Sequence, residues 1–133
     1  MYYFAYGSNL NKSLLAERCP GFKPVCSAVL PNYKLIFTGW SRKWRGGVAS
    51  IKSYQGEKVP GAIYEGEEKD FQRLDRYEDV PANYCRLNVL VLDEDGKAYQ
   101  GVTYIKSGQI DETPPSKEYL LTIRQGYKDW GIV

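Results

Sequence analysis

The chain has 133 residues, of which 43% are hydrophobic and 26% charged, the proportions of an ordinary globular protein and not of a disordered one. This length suits a single domain, residues 1–133, with one core. The net charge of +2 is too small to argue for a nucleic-acid partner, and no apolar run is long enough for a membrane span. The N-terminus lacks the basic-then-apolar order of a signal peptide, so a cytoplasmic location is expected.

Three residue types limit the chemistry that the chain can perform. Histidine is absent, which excludes the usual Ser-His-Asp and Cys-His catalytic groups and most transition-metal sites. The 3 cysteines are odd in number and have no Cys-x-x-Cys spacing, so neither a disulfide framework nor a zinc site is expected. Proton transfer near neutral pH must then fall to a carboxylate, lysine, tyrosine or cysteine. The 12 tyrosines suit a pocket for a small polar ligand, because each can bury its ring while offering a hydroxyl.

The first element is an uncharged aromatic run, residues 1–6, which predicts a short buried strand. The run breaks at Gly7-Ser8-Asn9, and a helical pattern follows over residues 11–18. Gly7 allows a sharp turn and the close approach of a ligand because it has no Cβ. Asn9 or Asn11 can cap the helix. Free backbone N–H groups at this corner would suit an anion or a developing oxyanion.

The remaining chain is predicted to contain more strands than helices. Strands are predicted over residues 25–30, 33–38, 48–53, 59–65, 84–92 and 97–105, and helices over residues 67–77 and 117–128. Hairpin turns are predicted at residues 55–58 and 93–96, and Ser116 is predicted to cap the last helix. Because strands and helices do not alternate strictly, the fold class is α+β.

A basic loop, residues 39–47, contains two tryptophans, Trp40 and Trp44. Interleaved aromatic and basic residues occur in proteins that bind single-stranded nucleic acid. One short loop in a chain of nearly balanced charge favours instead a mobile flap beside the pocket, or a solvated loop.

A carboxylate at the end of the second predicted helix is the best candidate for proton transfer. Phe71, Leu74 and Glu78 are spaced i, i+3 and i+7, so Glu78 continues the buried stripe of the helix. Desolvation at such a position raises the pKa of a carboxylate toward the range in which it exchanges protons. Periodicity leaves two alternatives open, because Asp75 lies near the same stripe and Glu78 could reach solvent or pair with a nearby arginine.

Five segments of the sequence carry a resemblance to a known family. They are Tyr3-Phe4-Ala5-Tyr6-Gly7-Ser8-Asn9-Leu10, Gly46-Gly47-Val48-Ala49-Ser50-Ile51, Val59-Pro60-Gly61-Ala62-Ile63-Tyr64, Leu74-Asp75-Arg76-Tyr77-Glu78-Asp79-Val80 with Tyr84, and Pro114-Pro115-Ser116 with Tyr119. In this order they resemble the gamma-glutamylcyclotransferase family, the avirulence-induced-gene-like group. The resemblance implies a small, mostly antiparallel, barrel-like mixed sheet with flanking helices and a pocket at one end.

The resemblance also implies the residues of the site. Glu78 of the Leu-Asp-x-x-Glu pattern would be the general acid/base, with no metal or cofactor. The implied substrate-binding residues are Tyr3, Phe4, Ala5, Tyr6, Gly7, Ser8, Asn9 and Tyr119, with Tyr84 and Tyr104 as secondary pocket residues. The implied reaction is an intramolecular acyl transfer, in which the α-amino group of a gamma-glutamyl substrate attacks its own γ-carbonyl. The products are 5-oxoproline and a free amine or amino acid.

Departures from the family pattern leave the substrate open. Asp79 stands where the family commonly has glycine, and a carboxylate there is expected to raise the pKa of Glu78 further or to repel an anionic substrate group. The glycine that commonly precedes Tyr84 is also absent. Alternatives are a relative that acts on gamma-glutamyl amines or removes a gamma-glutamyl protecting group, a non-catalytic metabolite-binding module, and RNA binding through residues 40–45. The oligomeric state is open, with a homodimer as one candidate.

Overall fold

A computed structural model describes residues 1–108 and 111–132, and within them five strands close a barrel flanked by three α-helices. The strands are β1 (Tyr2–Ala5), β2 (Lys23–Ser41), β3 (Gly46–Glu65), β4 (Tyr84–Leu92) and β5 (Ala98–Lys106). The helices are α1 (Lys12–Arg18), α2 (Glu68–Tyr77) and α3 (Lys117–Asp129). The strand order is β1-β3-β2-β4-β5, and only the β1–β5 pairing among those described is parallel. The predicted α+β class and the mostly antiparallel barrel are therefore confirmed.

β2 and β3 are two long strands where the sequence predicted four short ones. The predicted hairpin turn at residues 55–58 is wrong, because this stretch lies within β3. It faces an irregularity of β2 between Pro31 and Tyr33, where Asn32 has a φ of 64° and accepts a hydrogen bond from the Gly56 N–H at 3.1 Å. The glycine and asparagine signals thus mark a bulge within a paired ladder, and not a chain reversal.

The chain reverses between β2 and β3 at residues 42–45, inside the predicted basic loop. Trp44 packs its ring against Tyr119 of α3, with 5.0 Å between the ring centroids, whereas Trp40 is 68% exposed. The predicted loop is therefore the twisted end of a hairpin, and its tip lies beside α3.

Two clusters of buried side chains form the core. β1 contributes to both, because its successive side chains point to opposite faces. Phe4 belongs to one cluster, together with Ile51, while Tyr3 and Ala5 belong to the other, together with Phe71. The second cluster packs α2 against the barrel and so places the C-terminal end of α2 near the end of β1.

The start of α3 is docked on β3 through a close backbone approach. Gly47 donates its N–H to the carbonyl of Pro114 at 2.9 Å, and a Cβ on Gly47 would lie 2.1 Å from the carbonyl oxygen of Thr113. Ser116 caps α3 by accepting a hydrogen bond from the Tyr119 N–H at 3.2 Å, which confirms the predicted cap. This docking directs Tyr119 toward the barrel. No helix within the described ranges combines the length and the apolar character that crossing a membrane would need.

Candidate active site

A pocket opens where the end of β1 meets the C-terminal end of α2 and the first turn of α3. It encloses about 350 Å³, including the solvent at its mouth. The residues that line it are five tyrosines, the corner after β1, one alanine and one carboxylate: Tyr3, Tyr6, Gly7, Ser8, Asn9, Ala49, Glu78, Tyr84, Tyr104 and Tyr119. The structure thus brings together nearly all of the residues that the sequence proposed for the site.

Phe4 and Ala5 do not line the pocket, although both were predicted to bind substrate. Their side chains are fully buried in the two core clusters. They belong to the aromatic motif because they pack the strand that carries the site. Ala49 lines the pocket without having been proposed, and the only sequence signal for it was its place in the Gly-Gly segment, residues 46–51.

The corner after β1 is a single 3₁₀ turn, Ser8–Leu10, held by a hydrogen bond from the Leu10 N–H to the Gly7 carbonyl at 3.0 Å. The N–H groups at the start of such a turn have no partner within it. A Cβ on Gly7 would lie 3.6 Å from the Tyr119 hydroxyl, so the absence of a side chain keeps this side of the pocket open. Asn11 caps α1 by accepting from the Leu14 N–H at 3.1 Å, which leaves the Asn9 side chain for the pocket.

Glu78 follows α2 directly and continues its buried face, as the spacing from Phe71 and Leu74 predicted. Its N–H donates to the Leu74 carbonyl at 2.8 Å, and its Oε1 accepts a hydrogen bond from Asn9 Nδ2 at 3.3 Å. Burial raises the pKa of Glu78, against the opposing effects of the Arg18 charge, the Asn9 hydrogen bond and the Lys106 charge. The result is a carboxylate with a raised pKa on the pocket wall, which is the property required of a general acid/base.

Asp75 lies in a different environment on the same helix. Its carboxylate accepts hydrogen bonds from Arg86 at 2.7 Å and from the Tyr104 hydroxyl at 2.7 Å. Burial acts to raise the pKa of Asp75, but the hydrogen bonds from Arg86 and Tyr104 outweigh it, so that this pKa lies below its ordinary value. Arg86 also pairs with Glu68 at 2.9 Å. Arg86, one of the two arginines (with Arg76) that could have paired with Glu78, is therefore engaged by Asp75 and Glu68.

The pocket tyrosines are held by the backbone of β3 and β5. Tyr84 donates its hydroxyl to the Ala49 carbonyl at 3.0 Å, and Tyr6 donates to the Tyr104 carbonyl. The Ala49 N–H donates to the Tyr119 oxygen at 2.9 Å, which leaves the Tyr119 proton available to a ligand. Burial raises the pKa of Tyr119 to about 12, so this hydroxyl is a hydrogen-bond donor at neutral pH.

Arg18, at the end of α1, is the functional candidate that sequence reasoning missed. Its Nη1 donates to Asn9 Oδ1 at 2.7 Å and to Ser8 Oγ at 3.1 Å, and its guanidinium lies 4.2 Å from the centre of the Tyr77 ring. An arginine in the last turn of a short helix is an ordinary surface pattern. Nothing in the local sequence distinguishes it from its neighbours.

Asp79 explains the glycine that the family commonly has after the glutamate. Its φ is 55°, in the left-handed region where glycine is favoured and aspartate is tolerated. Its carboxylate accepts a hydrogen bond from Asn83 Nδ2 at 2.7 Å. The expected effect on the neighbouring carboxylate is not found, because Asp79 is not among the groups that shift the pKa of Glu78. In the part of the chain that the structure describes, no three His, Cys, Asp or Glu residues are grouped so as to hold a metal ion.

Comparison with known proteins places the chain in a family. The profile of the family described as gamma-glutamyl cyclotransferase, AIG2-like, matches residues 3–130. The human protein named gamma-glutamylcyclotransferase is 32% identical over 135 aligned residues, covering 98% of this chain and 71% of the human one. The mouse protein of the same name is 31% identical with the same coverage. The chain belongs to the gamma-glutamyl cyclotransferase, AIG2-like family.

A solved structure agrees with this assignment over the whole fold. A protein named gamma-glutamyl cyclotransferase superimposes with a TM-score of 0.95 at 31% identity, covering 99% of this chain and 80% of that one. The family that the motifs resembled is thereby confirmed, and the chain is a gamma-glutamylcyclotransferase-like enzyme.

Proposed function

We propose that this enzyme releases 5-oxoproline and a free amino acid from an L-gamma-glutamyl amino acid, with Glu78 as general acid/base. The proposal rests on one observation, the burial of the Glu78 carboxylate in the pocket wall. Glu78 is a pocket-lining group with a raised pKa, placed at the open end of a barrel whose family is that of gamma-glutamyl cyclotransferases.

The reaction moves protons from the attacking nitrogen to the leaving nitrogen and needs no external nucleophile. Ionised Glu78 takes a proton from the substrate's α-ammonium group, and the freed nitrogen attacks the γ-carbonyl carbon of the same molecule. A bond forms between these two atoms and closes a five-membered ring, while the carbonyl oxygen becomes an oxyanion. Protonated Glu78 then gives its proton to the leaving nitrogen as the original amide bond breaks and the oxyanion returns to a carbonyl. The regenerated carboxylate takes the surplus proton from the ring nitrogen, which leaves the neutral lactam of 5-oxoproline, and then passes this proton to the released amine or to solvent. One carboxylate can perform these transfers in turn because burial raises its pKa.

The corner after β1 supplies donors for the negative charge that develops. Backbone N–H groups at Ser8 and Asn9, together with the Tyr119 hydroxyl, can stabilise the oxyanion or hold the substrate's α-carboxylate. These donors are preorganised, because Asn11 caps α1 and the Ala49 N–H holds the Tyr119 oxygen. The tetrahedral intermediate would therefore be stabilised with little rearrangement.

The charge around the mouth favours a leaving group that carries a carboxylate. A cleft beside the pocket is lined by four exposed or half-buried cations, Arg18, Lys43, Arg73 and Arg76, against one carboxylate, Glu17, and Arg18 also contacts two pocket residues. Lys43 donates to the Tyr77 hydroxyl at 3.1 Å, which holds it next to the residue before Glu78. A cationic amine as leaving group would be repelled there, so this charge supports gamma-glutamyl amino acids over the gamma-glutamyl amines considered as the alternative.

The test is 5-oxoproline release from a panel of L-gamma-glutamyl amino acids, glutathione and gamma-glutamyl amines. We expect release from the amino-acid conjugates and little from the amines. An N-acetylated gamma-glutamyl amino acid is the matched control, because it keeps the scissile bond but cannot attack it. Hydrolysis of the acetylated compound would contradict intramolecular attack, and the absence of release from every substrate would favour the metabolite-binding module.

A cytoplasmic location, a homodimer and catalysis without metal or cofactor stay predictions. Fractionation of the source cells, light scattering of the purified chain and assays with added chelator would test them in turn.

A further inference from the structure

We propose that Arg18 is a positioning residue of this site, and that it holds the Asn9 side-chain amide in the orientation that presents its NH₂ group to Glu78. The inference deepens the proposed function and rests on the assignment of Glu78 as acid/base.

The orientation of the amide follows from the kinds of group around it. A guanidinium can only donate hydrogen bonds, so the Asn9 atom that faces Arg18 at 2.7 Å must be the oxygen. The amide nitrogen then points the other way, where it donates to the Tyr3 hydroxyl oxygen at 2.9 Å and to Glu78 Oε1 at 3.3 Å. A rotation of the amide by half a turn would set its oxygen against the Glu78 carboxylate and its NH₂ group against Arg18. Arg18 therefore makes one of the two orientations far more stable.

The guanidinium is itself held in place by several elements. Ser8 accepts a second hydrogen bond from the same nitrogen at 3.1 Å, and the Tyr77 ring lies 4.2 Å away on one face. Among the described residues, the buried Nε of Arg18 has no hydrogen-bond partner. Leaving a buried donor unpaired costs stability. An arginine that served only to solubilise α1 would have no reason to be drawn into this position.

The positive charge of Arg18 lowers the pKa of Glu78, as does the hydrogen bond from the Asn9 amide. Burial raises the pKa of Glu78, while the positive charges of Arg18 and Lys106 and the Asn9 hydrogen bond lower it. The other titratable groups that interact with Glu78 from the elements packed around it are Tyr3, Tyr6, Cys19, Tyr84, Tyr104 and Tyr119. Burial raises the pKa of each of these groups, so they carry no charge at neutral pH, and the two cations remain to favour the ionised carboxylate.

The experiment compares Arg18→Met, Arg18→Lys and Arg124→Met. Arg124 is the matched control, since it is exposed on α3 and lines neither the pocket nor the neighbouring cleft. We expect Arg18→Met to lower kcat about 10²-fold, the scale of a small misplacement of a reacting group. The acid limb of the kcat/KM profile should move to higher pH, because the loss of a positive charge raises a carboxylate's pKa. Arg18→Lys should restore the position of that limb and part of kcat, and Arg124→Met should change neither.

Two nuclear magnetic resonance measurements test the arrangement without turnover. In the native chain, the Asn9 side-chain NH₂ resonances should shift as the Glu78 carboxyl carbon titrates. In Arg18→Met the Glu78 titration should move to higher pH. The proposal is overturned by Asn9 resonances that do not shift during the Glu78 titration, or by an Arg18→Met variant whose Glu78 titration and acid limb match those of Arg124→Met. If Arg18→Met does not fold, the Asn9 titration in the native chain and the pH profile of Arg18→Lys test the proposal instead. A native chain that releases no 5-oxoproline would overturn the proposed function and leave this test of Arg18 intact.

Discussion

Asp75 and Glu78 are carboxylates three positions apart at the end of α2, and their surroundings shift their pKa values in opposite directions. Asp75 accepts hydrogen bonds from Arg86 and from the Tyr104 hydroxyl, and these hold its pKa below the ordinary value. Glu78 accepts one hydrogen bond among those described, from Asn9, and burial raises its pKa. Identical chemistry in the side chain thus yields a structural group at one position and a proton-exchanging group at the other.

The number of direct hydrogen-bond partners separates the roles of the two carboxylates. A carboxylate with an arginine and a phenol bound to it is stabilised as an anion, so its pKa is lowered. Glu78 forms no ion pair among the described residues, and burial raises its pKa against the more distant charges of Arg18 and Lys106. The pocket therefore supplies charge to Glu78 without saturating its oxygens.

The largest expected effect is on catalysis. Glu78→Gln should lower kcat for 5-oxoproline release by about 10²–10⁴-fold, the usual contribution of general acid–base catalysis. Asp75→Asn should leave kcat within the same order of magnitude, measured at a temperature where the variant is folded. Equal losses in both variants would break the distinction, and release that persists in Glu78→Gln would move the acid/base role to another carboxylate.

The second effect is on stability, for which Asp75 is expected to matter more than Glu78. Asp75→Asn should lower the free energy of unfolding by about 1–3 kcal/mol, because Arg86 loses a charged partner. Urea unfolding at about pH 7 and at about pH 3 measures this effect. Since the pKa of Asp75 is lower in the folded state, its stabilisation is present above the ordinary value of 3.8 and is lost as the pH falls through the folded value. A difference between native and variant that does not shrink in acid would contradict the ion-pair explanation.

The third effect tests the donor opposite Glu78. Tyr119→Phe should lower the free energy of unfolding by about 1–2 kcal/mol, because the buried Ala49 N–H loses its partner. It should also lower kcat/KM by about tenfold, since one donor to the substrate is lost. Tyr127→Phe, on the same helix and half-buried, is the control and should change activity little. Substrate affinity unchanged in Tyr119→Phe would remove Tyr119 from the binding site.

The smallest expected effect is a pH-dependent change in thermal stability when Glu78 is replaced. Because its pKa is raised in the folded state, the folded chain binds more protons than the unfolded chain, and this group's contribution to stability falls as the pH rises above 4.5. Glu78→Gln should therefore raise Tm at neutral pH by about 1–3 °C, and the gain should vanish toward about pH 4. Thermal unfolding across this range gives the answer. A Tm that falls in the variant would mean that Glu78 stabilises the fold as Asp75 does.

Local patterns in the sequence predicted the elements whose stability is local. The spacing of Phe71, Leu74 and Glu78 predicted which face of α2 is buried, and Ser116 predicted the start of α3. The Asp-Gly pattern of residues 93–96 predicted the β4–β5 hairpin, where Gly96 has a φ of 81°. Each of these signals reports interactions between residues a few positions apart, which are present in any fold that contains the element.

The tertiary structure alone decided the continuity of β2 and β3, the side chain that caps α1, and the partners of the two carboxylates. Asn9 and Asn11 were both possible caps in the sequence; in the structure Asn11 accepts from the Leu14 N–H, whereas Asn9 lies in the preceding turn and donates to Glu78. Arg18 carried no signal at all, because its role depends on contacts between α1, the corner after β1 and the end of α2. A sequence pattern reports which side chains share a face of one element, whereas a pKa or an amide orientation depends on charges brought close by chain segments far apart in sequence.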